Sequence, residues 1–119
     1  MVNQQHRQAN AIFRALIETE GYEADTYADI IDLLVDNKQT ALANEWLEEA
    51  TSRYPNNKLL MESTAYSYVQ QERYDEAIAL YNQLLDIDAY STLYWEELGK
   101  IYFAREEFDK AIEAFEFAI

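Results

Sequence analysis

The chain has 119 residues, a length that suits one domain or a stack of small units but hardly two independent cores. Two glycines and one proline are too few for the turns of a many-stranded sheet, so the composition favours helices joined by short turns. Nine Lys and Arg against 23 Asp and Glu give a formal charge of −14. This charge disfavours nucleic acid and anionic membranes as partners, because like charges repel. The absence of cysteine excludes disulfides, thiolate catalysis and cysteine zinc sites.

A catalytic or metal-binding role finds no support in the residue types present. His6 is the only histidine, so neither a two-histidine metal site nor a Ser-His-Asp arrangement can form within the chain. Two glycines, Gly21 and Gly99, cannot build a glycine-rich phosphate loop. Paired carboxylates such as Asp86 and Asp88 lack the glycine-bearing loop of a calcium site. We therefore predict no enzyme activity, no cofactor and no metal.

The hydropathy pattern gives no sign of a membrane segment. No apolar run approaches the roughly 20 residues that a spanning helix needs, and residues 1–10 are polar where a signal peptide would be hydrophobic. The sequence therefore predicts a soluble protein with no membrane partner. Its compartment stays open, with the cytoplasm as the default, and an export signal or anchor could lie outside this sequence if it is a piece of a longer protein.

An offset of 34 residues organises the chain. It joins sets of apolar residues that follow one another at spacings of four and three, which are helical spacings. These sets are Ala9, Ala43, Ala77 and Ala111; Phe13, Leu47, Tyr81 and Phe115; and Leu16, Ala50, Leu84 and Ala118. A second group with the same offset marks another helix, which precedes the first in each period. Its sets are Tyr27, Met61 and Trp95; Ile30, Thr64 and Leu98; Ile31, Ala65 and Gly99; and Leu34, Tyr68 and Tyr102.

Each period therefore predicts a hairpin of two amphipathic helices, and the chain predicts seven helices in one array over residues 1–119. In chain order these are a half repeat with the second helix only (1–23), repeat 1 (24–57, helices 24–37 and 40–53), repeat 2 (58–91, helices 58–70 and 74–87) and a shortened repeat 3 (92–119, helices 92–104 and 108–119). Small residues such as Ala43 and Gly99 let two helix axes approach closely, while large ones such as Trp95 fill the space around the crossing. Pro55 ends a helix because proline lacks the backbone donor.

The third repeat resembles the tetratricopeptide repeat family. The residues that carry this resemblance are Trp95, Leu98, Gly99, Tyr102, Ala111, Phe115 and Ala118. The second repeat keeps Tyr68, Ala77, Tyr81 and Leu84 but has Thr64, Ala65 and Ala89 where the family usually has Leu, Gly and Pro. The first repeat has Pro55 in the family position but reads Ile30 and Ile31 for Leu and Gly, and Ile31 is expected to widen that helix crossing slightly.

This resemblance implies an all-α, right-handed superhelical solenoid of antiparallel helical hairpins. In such proteins the first helix of each hairpin lines a concave surface that receives a segment of a partner protein. The motif residues maintain packing, so specificity must come from the positions between them.

Counting from the apolar stripe predicts which residues face that groove. In the first hairpin the opposite stripe consists of aspartates alone, at helical spacings. The complete set of predicted groove residues is Asp25, Asp29, Asp32 and Asp36; Leu59, Glu62, Ser63, Tyr66, Val69 and Gln70; and Leu93, Glu97, Lys100 and Phe103. The groove is thus expected to change from acidic to weakly charged along the array. Family members that grip a partner's terminal carboxylate use Lys, Arg and Asn at such positions, so a carboxylate clamp is not expected here.

The sequence favours a non-catalytic scaffold for protein interactions. Its partner segment would carry Lys or Arg near the first hairpin and an apolar or aromatic side chain near Tyr66, Val69 and Phe103. The aspartates could instead be only a solvated face that keeps the array soluble. A competing function is assembly, in which the uncapped terminal helices join a larger protein or other copies of the chain. Among the tyrosines, Tyr66 and Tyr94 are the expected contact residues.

Overall fold

The fold is known from a computed structural model that describes residues 4–20 and 23–119. These ranges contain seven α-helices and no strand. The helices are α1 (Gln4–Glu20), α2 (Ala24–Asp36), α3 (Thr40–Arg53), α4 (Lys58–Gln70), α5 (Tyr74–Ile87), α6 (Thr92–Ala104) and α7 (Phe108–Ala118). The all-α class and the seven predicted helices are confirmed, although residues 1–3 and 21–22 of the predicted first half repeat lie outside the described ranges.

The chain divides into two compact units, one ending at Ser63 and the other beginning at Thr64. The boundary falls inside α4, so it does not coincide with the repeat boundaries read from the sequence. The first unit contains α1, α2, α3 and the first half of α4, and the second contains the rest of α4 with α5, α6 and α7.

The turn inside each hairpin repeats the same backbone geometry. Lys38, Glu72 and Glu106 have φ values of 59°, 58° and 62°, and they lie one 34-residue period apart. The amide of Lys38 donates to the carbonyl of Val35 at 3.0 Å, and the next amide donates to the carbonyl of Leu34 at 2.9 Å. Corresponding bonds occur in the other two turns. This is the Schellman pattern that ends a helix, here with non-glycine residues at the left-handed position.

The core of the first unit is built around two aromatic residues. Tyr27 and Trp46 are buried, and their ring centroids lie 5.8 Å apart. Helix α1 attaches to this pair through Phe13, whose ring meets Trp46 edge-on at 6.1 Å, and through Asn10, which accepts a hydrogen bond from the Trp46 indole at 2.8 Å. An aromatic centre therefore joins α1 to the hairpin of α2 and α3.

An ion pair reinforces the attachment of α1. Arg14 lies 2.6 Å from Glu49, and the Tyr27 hydroxyl donates to Glu49 at 2.9 Å. Burial alone would raise the pKa of Glu49, but the hydrogen bonds from Arg14 and Tyr27 outweigh it and leave that pKa below its usual value. Burial, followed by the bond to the carboxylate, raises the pKa of Tyr27.

The core of the second unit depends on a close helix crossing between α6 and α7. A methyl group placed on Gly99 would lie only 2.5 Å from the nearest ring carbon of Phe115, closer than non-bonded carbon atoms can approach. Tyr81 of α5 packs against Tyr94 of α6 with ring centroids 6.2 Å apart. The predicted role of Gly99 in letting two helices approach therefore has a direct structural counterpart.

The predicted packing residues differ in depth. Those that are buried are Ala43, Leu47, Ala77, Tyr81, Leu98, Gly99 and Ala111. Half-buried are Ala9, Phe13, Tyr68, Trp95, Tyr102, Phe115 and Ala118, and Pro55 is exposed in the connection after α3. The prediction that Tyr94 contacts a partner is wrong, because its side chain is 1% exposed and packs on Tyr81.

We predict that Gly99→Ala lowers the free energy of unfolding by about 1 kcal/mol. Overpacking costs roughly 1–3 kcal/mol, and the better helix propensity of alanine offsets about 1 kcal/mol of that. In a Phe115→Leu background, which removes the clashing ring atoms, the same change should be neutral or stabilising. Urea unfolding of the two single variants and the double variant measures this coupling. Equal effects of Gly99→Ala in both backgrounds would contradict it.

Candidate protein-binding surface

In the first unit, the outer face of α2 carries acidic side chains around one apolar residue. Asp25, Asp29 and Asp36 are exposed, while the opposite face of α2 supplies buried residues such as Tyr27. Leu33 lies on the acidic side and is 51% exposed. It lies four residues after Asp29 and three before Asp36, so helical spacing alone could have included it among the predicted groove residues. The surface is therefore acidic, with one exposed apolar residue beside the aspartates.

Asp32, the remaining aspartate of the stripe, lies deeper than the others. It is half-buried, it accepts a hydrogen bond from the Ser63 hydroxyl, and its Oδ1 atom is buried without a hydrogen-bond partner. Burial raises the pKa of Asp32, the Ser63 bond opposes this, and repulsion from Asp36, Asp29 and Glu62 raises it further. The surrounding carboxylates therefore disfavour the ionised form of Asp32.

The predicted groove residues at the start of α4 do not share one degree of exposure. Leu59 is 38% exposed and Ser63 only 3%, while Glu62 is half-buried. Because the hydroxyl of Ser63 is bound to Asp32 inside the first unit, Ser63 positions an acidic residue and has little surface of its own to offer a partner.

In the second unit, the predicted groove residues are mainly apolar or neutral. Tyr66 and Val69 are half-buried and Gln70 is exposed on α4. On α6, Leu93 and Phe103 are exposed.

Two of the three charges of α6 compensate each other. Lys100 is exposed and lies 3.2 Å from Glu97, so the two form an ion pair within the helix. This part of the surface therefore offers apolar side chains with little net charge.

Sequence reasoning missed Phe108, which extends the apolar surface beyond α6. Its ring contacts that of Phe103 with centroids 5.3 Å apart and planes at 71°. Phe108 begins α7, a second helix of a hairpin, so counting along the first helices could not find it. The exposed pair therefore adds a contiguous aromatic patch to the surface of the second unit.

Two absences hold for the part of the chain that the structure describes. Residues 4–20 and 23–119 contain no group of three or more His, Cys, Asp or Glu side chains arranged to hold a metal ion. Within the same ranges, no helix combines the length and apolar character needed to cross a membrane.

Hairpins with a common 34-residue register, close helix crossings and varied outer faces define the class of helical-repeat binding proteins. Models of the tetratricopeptide repeat match residues 28–92 and 93–119, the first of which alone covers more than half of the chain. The chain belongs to the tetratricopeptide repeat family. Such repeats are protein-interaction modules, and this membership supports a protein-interaction scaffold.

Several solved structures are similar to this chain. MamA of Desulfovibrio magneticus RS-1, from position 41 to its end, has a TM-score of 0.74 at 19% identity, over 94% of this chain and 63% of that one. MamA of AMB-1 gives 0.69 at 21%, over 96% and 62%, and Pseudomonas aeruginosa pilF gives 0.71 at 15%, over 97% and 53%. This chain spans less than two thirds of each of these structures, and at such identities the likeness shows the fold alone. No curated protein matches the sequence.

We predict that Asp32→Asn raises the melting temperature at pH 7 and leaves it nearly unchanged near pH 3. The pKa of Asp32 is higher in the folded chain than in the unfolded one. The folded state therefore holds the proton more tightly, and stability falls as the pH rises from the unfolded pKa through the folded pKa. Asparagine removes the charge and keeps an oxygen that can accept from Ser63.

Circular dichroism melts at both pH values measure this effect. Asp29→Asn is the control, because it removes an exposed charge from the same helix, and its gain at pH 7 should be smaller. A lower melting temperature for Asp32→Asn at pH 7 would show that the ionised carboxylate stabilises the fold, contrary to the direction of its pKa.

Proposed function

We propose that the chain is a non-catalytic scaffold that binds a partner segment carrying Lys or Arg together with apolar or aromatic side chains. The observation that carries this proposal is the acidic face of α2, where exposed aspartates lie beside the exposed Leu33. Aspartates at helical spacing repel one another and are poor helix formers, so they weaken the helix that bears them. A cationic partner would convert that repulsion into attraction.

The depth of Asp32 supports the same proposal. Its buried Oδ1 has no hydrogen-bond partner, although buried carboxylate oxygens are normally satisfied. A Lys or Arg side chain approaching this face would counter the repulsion that Asp29 and Asp36 exert on the Asp32 carboxylate. Binding would then favour the ionised form of Asp32 and release a proton wherever that group is still protonated.

Side chains of the second unit would provide the apolar contacts to the partner. Phe103 and Leu93 are exposed on α6, and Tyr66 and Val69 are half-buried on α4. Burying such side chains against apolar groups of a partner contributes about 25 cal/mol per Å² of apolar surface removed from water. The charge on α2 would then select the partner and speed its association, while the apolar residues would slow its release.

We expect a labelled peptide that combines Lys or Arg with aromatic residues to bind more tightly than an acidic peptide of equal length and apolar content. Fluorescence anisotropy at physiological salt measures both affinities. Asp29→Asn with Asp36→Asn should weaken binding of the basic peptide roughly twofold to thirtyfold, because two exposed ion pairs contribute about 0.2–1 kcal/mol each.

The matched control is Glu45→Gln with Glu48→Gln, which removes the same charge from exposed positions of α3. A loss confined to the α2 variant supports the proposed surface. Equal affinity for basic and acidic peptides would contradict the proposal, as would an equal loss in the α3 control.

A second candidate function is assembly through the terminal helices. Ile12 and Leu16 are exposed one turn apart on α1, and Ile112 and Ile119 are exposed at α7. If these residues join copies of the chain, the mass measured by light scattering should rise with protein concentration, and Ile12→Ser with Leu16→Ser should reduce that rise. A mass that stays monomeric at every concentration would count against assembly between copies.

A further inference from the structure

The turn between α6 and α7 borders an open surface cavity of about 370 Å³. Its lining consists of Glu106, Glu107, Phe108, Asp109 and Lys110. Phe108 is 49% exposed, and the ring of Phe103 packs against it edge to face. This contact leaves part of the Phe108 surface open to the cavity. The cavity thus combines an aromatic wall with carboxylates.

The cations near the cavity are already engaged. Arg105 lies 2.6 Å from Asp75 and 3.2 Å from Glu107, and the hydrogen bond to Asp75 raises the pKa of Arg105. Lys110 lies 3.6 Å from Glu107 and sits over the ring of Tyr102 at 5.7 Å. Both side chains are therefore turned to partners inside the second unit.

Two lining carboxylates are left over. Throughout residues 4–20 and 23–119, no cation forms an ion pair with Glu106 or Asp109. Both are exposed; Glu106 lies two residues before Phe108 and Asp109 one residue after it. The cavity therefore presents one aromatic ring and two uncompensated negative charges, and it holds no guanidinium of its own.

At two other places in the chain, an arginine contacts both an aromatic ring and a carboxylate. Arg14 lies over the ring of Trp46 at 4.7 Å and pairs with Glu49. One carboxylate and one ring thus share one guanidinium. The planar guanidinium can stack on an aromatic face while its edge donates to carboxylate oxygens, which an ammonium group does less well.

The same arrangement occurs in the turn of the second hairpin. Arg73 lies over Tyr68 at 4.6 Å and forms an ion pair with Glu76. One period later these positions hold Glu107, Tyr102 and Lys110, so the signs of the ion pair are exchanged. The second hairpin has Glu72, Tyr74 and Asp75 where Glu106, Phe108 and Asp109 stand, but Asp75 pairs with Arg105. Among the described residues, the lack of an ion pair at Asp109 therefore distinguishes the third hairpin from the second.

We propose that this cavity binds an arginine side chain of the partner segment, with the guanidinium stacked on Phe108 and hydrogen-bonded to Glu106 and Asp109. The inference rests on the proposed function, namely binding of a basic and apolar segment, and adds a defined anchor for one of its residues. Phe103, beside Phe108, provides apolar surface for a neighbouring side chain of the same segment.

The test uses the whole chain, labelled with ¹⁵N, and three small probes followed by NMR. The probes are arginine, lysine and citrulline, each capped at both ends, and citrulline has the shape of arginine without its charge. Capped arginine should produce saturable shifts centred on residues 103–110, with an affinity at least about fivefold higher than that of citrulline. Lysine should fall between them. Equal shifts with arginine and citrulline, or shifts centred elsewhere, would overturn the proposal.

Matched variants distinguish arginine binding at this cavity from general electrostatic attraction to an acidic chain. Phe108→Leu keeps apolar volume and removes the ring, and Glu106→Gln with Asp109→Asn removes the two charges, so both should weaken arginine binding. Glu113→Gln with Glu116→Gln makes the same change in charge at exposed positions of α7 and should leave binding nearly unchanged. Equal losses in the two double variants would overturn the site.

The outcome is distinguishable from that of the peptide experiment. Failure of every basic peptide to bind, with capped arginine still shifting residues 103–110, would contradict the proposed function and keep this site. Peptide binding that depends on Asp29 and Asp36, with no response to arginine at residues 103–110, would overturn this site alone.

Discussion

The close approach of the two helices of a hairpin is the constraint on which the rest of the chain depends. At the crossing of α6 and α7 the ring of Phe115 occupies space that any side chain on Gly99 would need. The equivalent pairs in the earlier repeats are Ala65 with Tyr81 and Ile31 with Leu47. As the residue in the first helix becomes larger, from Gly to Ala to Ile, the residue in the second helix changes from aromatic to aliphatic. The side-chain volume at the crossing is therefore divided differently between the two helices, while their register is unchanged. Since packing is dense, a register set at such crossings also sets where each turn must fall.

Because the buried stripe carries the stability of each helix, the outer faces are free to vary. Helix α2 shows how far this freedom extends: Tyr27 and Ile31 are fully buried, and the other face bears four aspartates. A short isolated helix with this charge pattern would be unstable in water. Tertiary packing outweighs that local penalty, so the aspartates can be kept for a purpose other than folding. Burial, with the repulsion of neighbouring carboxylates added to it, raises the pKa of Asp32.

The periodic helices could be predicted from the sequence, whereas the burial of individual side chains and their contacts between helices could not. Helix bounds followed from the 34-residue offset because each period repeats one packing unit. Tyr94 was misplaced because helical spacing gives the direction of a side chain, while burial depends on a neighbour such as Tyr81. The bond from Ser63 to Asp32 and the contact of Phe108 with Phe103 join different helices, and no local pattern encodes them.

The two acidic features would act on a partner over different ranges. The aspartates of α2 are mostly exposed, so their attraction reaches roughly a Debye length, about 8 Å at physiological ionic strength, and salt weakens it. At the turn before α7, by contrast, stacking on Phe108 requires contact and depends less on salt, because part of the interaction is with an aromatic face. A basic segment recognised by both would therefore associate more slowly as salt rises, while its dissociation would respond mainly to the ring. On the proposed function, charge would govern how fast the partner binds, and the aromatic contact would govern how long it stays bound. This division would let one chain of net charge −14 distinguish a particular basic partner from basic proteins in general.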